Sequence, residues 1–289
     1  MKSAMALTEN NPPDLSFISL GPEYITAAHG LSSEAGWNQT PDDWRMMLEQ
    51  GTGFGMIDRD NHLIATAICL PYGAEFGWIS MVLVHLPWRQ KGLATQLLNR
   101  CITTLEDRGL LPVLDATPQG ETVYKPLGFF SHFGLTRWQS DGSLKLSDSG
   151  STRALTQDDL PAVKVLDRQV FGGSREIILD TLFARAPHLG RWMNDGSGFV
   201  LARDGRNASQ IGPLVATSGT SAIHLLNDAL SASEGVIFID AVDHQSVVSD
   251  FLRENGFVVQ RPFKRMAKGR TVAFGMPENF YAIAGPELG

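Results

Sequence analysis

The chain has 289 residues, 43% hydrophobic and 19% charged. That length exceeds the usual ~100–200 residues of one domain and favours two, or one large one, and the composition excludes a disordered chain. With 24 basic against 31 acidic residues the net charge is −7, which argues against a general nucleic-acid binder, because phosphates call for clustered Lys and Arg. No apolar run approaches bilayer length, and the start, MKSAMALTENNPPDL, lacks the apolar stretch of a signal peptide. The expectation is a cytoplasmic protein with no membrane or nucleic-acid partner. Cys69 and Cys101 lie in apolar segments and read as reduced core thiols; the seven His are scattered without zinc spacing, so no metal is expected.

In chain order, residues 15–20 read as a strand, 21–35 as helical, and 41–50 as a helix with Thr40 as N-cap and Pro41 at its first position. Residues 53–58 and 62–70 read as two strands joined by a tight turn, and 78–84 as a further strand. Then comes the clearest helix. Leu93, Leu97, Cys101 and Leu105 form one row at i+4 spacing, flanked by Ala94, Leu98 and Ile102, and Arg108-Gly109 ends it. A short strand over 111–116, a helix to about Lys125 and a strand over 133–138 follow. Strands alternating with helices imply an α/β layer arrangement.

Gln139-Ser-Asp-Gly-Ser-Leu-Lys-Leu-Ser-Asp-Ser-Gly-Ser151 has turn and linker composition. It places a domain border between residues 142 and 143. The first part carries nine basic and fifteen acidic residues, the second fifteen and sixteen.

The junction Val84-His-Leu-Pro-Trp-Arg-Gln-Lys-Gly-Leu-Ala-Thr95 takes a strand through a glycine turn into a helix. The first N–H groups of a helix lack intrahelical partners and its dipole makes that end electropositive, so with Arg89, Lys91 and the close backbone approach at Gly92 this has the parts of a pyrophosphate cradle. It is neither a Walker A loop nor GxGxxG. Arg89-Gln-Lys-Gly92-Leu-Ala94 does match the Arg/Gln-x-x-Gly-x-Gly/Ala signature of the GNAT superfamily, the acyl-CoA-dependent N-acyltransferases. Tyr124-Lys-Pro-Leu-Gly-Phe129 resembles that family's Tyr-x-x-Leu-Gly-Phe.

The resemblance implies a central mixed sheet flanked by helices, with acetyl-CoA as cosubstrate. Leu83 and Val84 would pair with the pantetheine arm. Arg89, Gln90, Lys91, Gly92, Leu93, Ala94 and Thr95 would hold the pyrophosphate. Tyr124 would protonate the departing thiolate, and a backbone N–H near Leu83 would polarise the thioester carbonyl. The acceptor would be an amine on a small molecule or peptide. A general base is not fixed by the pattern: His85, Glu75, Asp115, Glu34 and a water relay are the candidates. Trp37 and Trp44 read as core.

The second half carries an echo of the first. Ala222-Ile-His-Leu-Leu-Asn-Asp228 reads like Ala94-Thr-Gln-Leu-Leu-Asn-Arg100, and Leu252-Arg-Glu-Asn-Gly-Phe257 like Tyr124-Lys-Pro-Leu-Gly-Phe129, each displaced by 128 positions; Asp240-Ala241 echoes Asp115-Ala116. A second GNAT-like domain over 143–289 is expected, without its own CoA site: the cradle becomes Thr217-Ser-Gly-Thr220, Tyr124 becomes Leu252, and Ile211-Gly-Pro213 interrupts the matching strand. This arrangement resembles a bacterial tandem-GNAT group, the YitH-like proteins. The run from Arg261 to Arg270 reads as a solvated basic face, with contact to an anionic part of a substrate or to CoA as the sharper alternative. Two functions remain open: transfer of acetyl from acetyl-CoA to a primary amine in a ternary complex, or acyl-CoA binding by a regulator without turnover.

Overall fold

A computed structural model of the chain describes residues 15–144 and 146–289. The first half runs β1 (Ser16–Leu20), α1 (Ile25–Glu34), α2 (Pro41–Gln50), β2 (Thr52–Ile57), β3 (Leu63–Tyr72), β4 (Phe76–Val84), α3 (Leu93–Glu106), β5 (Leu111–Ala116), α4 (Pro118–Tyr124) and β6 (Phe129–Ser140). The second runs β7 (Thr152–Ala154), α5 (Leu160–Phe171), α6 (Glu176–Arg185), β8 (Arg191–Met193), β9 (Gly198–Arg203), β10 (Ser209–Ala216), α7 (Gly219–Ser231), β11 (Ile237–Val242), α8 (Ser246–Glu254), β12 (Val258–Lys268) and β13 (Phe280–Ala282). Among the described residues no helix is long and apolar enough to cross a membrane.

Local rules account for the elements. Thr40 and Asp43 form a reciprocal capping box at α2, with Pro41 behind it. The Leu93, Leu97, Cys101 and Leu105 row is buried against β3 and β4. The expected helix over 21–35 instead starts at Ile25, after a short tight turn at Pro22–Tyr24. Cys69 and Cys101 are free and buried, as the sequence suggests.

All thirteen strands among the described residues join one mixed sheet, in the order β1-β2-β3-β4-β5-β12-β6-β11-β13-β10-β9-β8-β7. The order is symmetric about the β12–β6 pair, apart from β13. Each half therefore places its long last strand inside the other half's part of the sheet: β12 pairs with β5, and β6 with β11. β6 extends to Phe129 and Ser140, beyond the expected 133–138, because β12 and β11 bond its two edges. Asp–Arg pairs clamp the exchange at equivalent places. Asp115 on β5 takes two bonds from Arg265 on β12, and Asp240 on β11 takes two from Arg137 on β6. One apolar cluster runs across both halves, from Trp44 and Met47 of α2 to Val163 and Phe171 of α5 and Ile283 and Leu288 of the tail. α3 and α7 each cover a separate cluster.

Each half contains two parallel strands that pair only at their starts. β4 pairs with β5 over Phe76–Trp78 against Leu111–Val113, and β10 with β11 over Ser209–Ile211 against Ile237–Ile239. Beyond those residues the strands part. In the second half the gap is filled by β13, which bonds β10 through Leu214 and Val215 and β11 through Ala241. In the first half no strand among the described residues enters it. The expected interruption at Ile211-Gly-Pro213 takes the form of a register shift within β10, which continues to Ala216 with Gly212 packed against the backbone of Ile283.

Candidate active site

The site is built on the far end of β4. Opposite Ala67 of β3, β4 carries one extra residue: Thr66 faces Leu83 while Ile68 faces Ser80. Met81 takes φ +53°, and its carbonyl accepts the Thr66 hydroxyl at 2.8 Å. Such a bulge bends a strand and re-aims its backbone groups, here where β4 leaves β5. The chain then turns through His85–Trp88 into the loop 89–92. Gln90 and Gly92 both adopt left-handed backbone, φ +62° and +78°. Gly92 is the N-cap of α3 and offers no side chain to its first N–H groups; a Cβ added there meets nothing within 4 Å. The Arg89 Nε donates to the Val84 carbonyl at 3.0 Å, tying the loop to the strand end.

These elements border a cleft of about 790 Å3. Leu83, Val84, Arg89, Gln90, Gly92, Leu93, Ala94 and Thr95 all line it. Lys91 does not: its ammonium lies 4.5 Å from the centre of the Trp88 ring. An open helix N-terminus without a side-chain cap, beside a free strand edge, suits a long ligand with an anionic pyrophosphate, so the residues present fit CoA.

Inward of the cleft, in the unfilled gap between β4 and β5, lies a smaller cavity of about 110 Å3. Ser80, Met81, Leu114 and Asp115 line it from the two strands; Pro286 and Glu287 of the tail close it. The tail is held there by bonds from Trp78 Nε1 to the Pro286 carbonyl and from the Tyr72 hydroxyl to that of Leu288, both 3.0 Å, and by an ion pair of Glu287 with Arg203. The cavity and the cleft share Trp37, Val82, Thr117, Tyr124 and Arg261.

Tyr124 thus stands where the two spaces meet. Its ring lies over Gly120, where a Cβ would come within 2.8 Å of it, and 5.9 Å from the Phe129 ring. Its hydroxyl has no hydrogen-bond partner among the described residues, and burial pushes its pKa up to about 12. Of the base candidates, Asp115 reaches the cavity but both its oxygens are bound by Arg265 at 2.9 Å, and burial raises its pKa. Glu34 borders the cleft and meets His85 Nδ1 at 3.0 Å. Glu75 precedes β4 at the end remote from the loop, facing Arg270 at 4.0 Å. Trp44 is core, fully buried with its Nε1 on Ser32, whereas Trp37, also read as core, borders both spaces.

Three residues of the inner cavity escape sequence reasoning: Gln39, Arg137 and Glu287. The run from Arg261 to Arg270, read as a solvated basic face, is not one throughout, because β12 lies inside the sheet: Arg265 is buried on Asp115 and Arg261 lines both spaces. One signal was present. Arg137 and Arg265 repeat at the same 128-residue displacement as the helix motif, but their partners lie in the opposite half.

In the second half α7 begins differently. The Ser218 hydroxyl accepts the Ser221 N–H at 3.1 Å, so the helix caps itself. Leu252, at the place of Tyr124, is fully buried.

Comparison with known proteins agrees with both halves. A family model described as Acetyltransferase (GNAT) family matches residues 23–129, and one described as Acetyltransferase (GNAT) domain matches residues 163–282. The chain is 25% identical over 249 residues to the uncharacterized N-acetyltransferase YitH of Bacillus subtilis (strain 168), covering 83% of this chain and 86% of that protein. In fold it resembles a solved Pyrococcus horikoshii protein, with TM-score 0.78 and 18% identity over 96% of this chain and 97% of that one. It also resembles the tandem GNAT protein from the clavulanic acid biosynthesis pathway, with TM-score 0.60 and 14% identity over 88% and 98%.

Proposed function

Because the chain belongs to the GNAT acyltransferase superfamily, as two domains of that fold in tandem, we propose that it transfers acetyl from acetyl-CoA to a primary amine by direct attack in a ternary complex. Residues 1–142 are the catalytic unit in this reading. Residues 143–289 are a divergent unit without a CoA site, which lends β12 and the tail to the first. The observation that carries the proposal is the meeting of the outer cleft and the inner cavity at Tyr124. A donor in one and an amine in the other would be oriented for attack, which replaces a bimolecular encounter with an intramolecular one.

In this reading the loop from Arg89 to Thr95 binds the pyrophosphate, Leu83 and Val84 hold the pantetheine arm along their backbone, and a β4 N–H at the bulge faces the thioester oxygen. As the amine nitrogen bonds to the acyl carbon the carbon–sulfur bond breaks. The phenol proton of Tyr124 goes to the leaving sulfur, and the amine's surplus proton leaves to a base or to water. A regulator without turnover needs the cradle alone; the free hydroxyl where a second cavity opens from the cleft supports the enzyme. The thiols of Cys69 and Cys101 suit the reducing cytoplasm.

Isothermal titration with acetyl-CoA on wild type and Gly92→Asp tests the reading. The added carboxylate projects into the cleft mouth and repels phosphate, so the expected result is saturable binding by the wild type and at least about a hundredfold loss in the variant. Equal affinities would remove the cradle.

A further inference from the structure

Four arginines are at least nine-tenths buried, and each has its carboxylate: Arg137 with Asp240, Arg175 with Asp167, Arg203 with Asp43 and Glu287, Arg265 with Asp115. Arg261 differs. It stands in the wall shared by the cleft and the inner cavity, and its Nε is shut off from solvent. Its guanidinium lies 5.1 Å from the centre of the Phe263 ring but has neither an ion pair nor a hydrogen bond among the described residues. Across the strand pair it faces Arg137, whose own partner Asp240 already holds that guanidinium through both oxygens. Like charges directly opposite one another on neighbouring strands repel. Burial and then the Arg137 charge both lower the Arg261 pKa from its ordinary value.

The internal symmetry separates this charge from the needs of the fold. At a displacement of 128 positions Arg137 corresponds to Arg265 and Phe133 to Arg261. The register opposes Arg265 to Phe133, at 5.2 Å from its ring, just as it opposes Arg137 to Arg261. In one copy of this strand crossing a phenylalanine serves. The copy with a cavity beside the Tyr124 hydroxyl has an arginine instead.

Gln39 adds an independent observation. Only 5% exposed, it lines the same cavity, and its buried Oε1 has no donor. An unpaired cation and an unpaired buried acceptor ask for a ligand that brings an anionic group and an N–H. Guanidinium matches a carboxylate in shape as well as charge.

We propose that the acceptor is an amine that also carries a carboxylate, with Arg261 holding the carboxylate and Gln39 Oε1 accepting an N–H of the same molecule. The proposal rests on the acyltransferase reading. A cavity of about 110 Å3 limits the end that enters it to a few heavy atoms, fewer than the ~150 Å3 that admits benzene.

The test is titration of the full chain, saturated with CoA, with the common α-amino acids and β-alanine, each against the amine lacking its carboxylate. Wild type, Arg261→Phe and Arg261→Lys are compared, and acetyl-CoA and succinyl-CoA are titrated into each separately. The expected result is saturable binding of at least one acid, at least about tenfold tighter than its carboxylate-free counterpart. Arg261→Phe, which copies the other half, loses that preference but still binds acetyl-CoA; Arg261→Lys keeps part of it. The proposal is overturned by the absence of any carboxylate preference in the wild type, or by its survival in Arg261→Phe. It is also overturned if Arg261→Phe selectively weakens acetyl-CoA, or succinyl-CoA relative to acetyl-CoA, because Arg261 then reads the donor. Failure of acetyl-CoA to bind the wild type sinks the acyltransferase reading itself. Intact acetyl-CoA binding without a carboxylate preference sinks this proposal alone.

Discussion

Tyr124 gets its character from what surrounds it rather than from bonds it makes. Gly120 leaves room for the ring, Phe129 flanks it, and burial holds the phenol protonated with a pKa of about 12. A proton that no neighbour accepts is available to a leaving sulfur. Tyr124→Phe keeps the ring and removes the proton, so turnover is expected to fall about a hundredfold, with acetyl-CoA affinity within about twofold of wild type. Steady-state kinetics and titration together check this; parallel losses in both would make the hydroxyl a binding group. The pH profile carries a second expectation. An ordinary tyrosine is half ionised near pH ~10. With its pKa raised, the acid form of Tyr124 persists through pH 10, so kcat at saturating acceptor should show no Tyr-dependent fall there. A basic limb centred near pH 10 in the wild type and missing in Tyr124→Phe would contradict the raised value.

At the scale of elements, α3 and α7 are the same helix put to different uses. α3 starts at a bare Gly92 and leaves its first N–H groups open to the cleft. α7 starts at Ser218, which satisfies the Ser221 N–H itself, and the strand gap beside it holds β13. The expected stoichiometry is therefore one acetyl-CoA per chain, and a second calorimetric site would refute this account of α7. What the sequence conveyed here follows from range. The apolar row of α3, the Thr40 cap and the glycine turn into α3 are local patterns, and they lie where expected. The bulge at Met81 has no such signature: nothing in Ser80-Met81-Val82 marks a left-handed methionine, because the register of β3 imposes it. β13 is equally silent. Three residues gain their place only by pairing with strands more than thirty positions away. Lys91 stands at an open position of the motif and lies over Trp88, since the motif fixes the backbone of the loop and not the direction of an exposed side chain.

The whole molecule is held by an exchange that the repeat could not announce. Similarity at a constant displacement shows two copies of a fold, but it leaves open which copy each last strand joins. Here β12 lies between β5 and β6, opposed to β6 from Val258 to Lys268, and one apolar cluster is common to both halves. A cut between residues 142 and 143 therefore does not yield two finished units. Residues 1–142 alone would keep Asp115 without Arg265 and Arg137 without Asp240, both buried in the intact chain. Loss of the second half also bares the edge of β5, both edges of β6 and the apolar cluster common to the two halves, and total stability is only about 5–15 kcal/mol. Residues 1–142 and 143–289 produced separately are expected to show no cooperative thermal transition, whereas the two produced together should co-purify one to one and melt as a single unit. Cleavage of the intact protein at the exposed Ser147–Gly150 stretch should leave that unit whole, since the strands on either side stay paired. A cooperative transition in residues 1–142 alone would mean that β12 is dispensable to the first half, and that the tail and Arg261 can be removed without unfolding the strands that line the inner cavity.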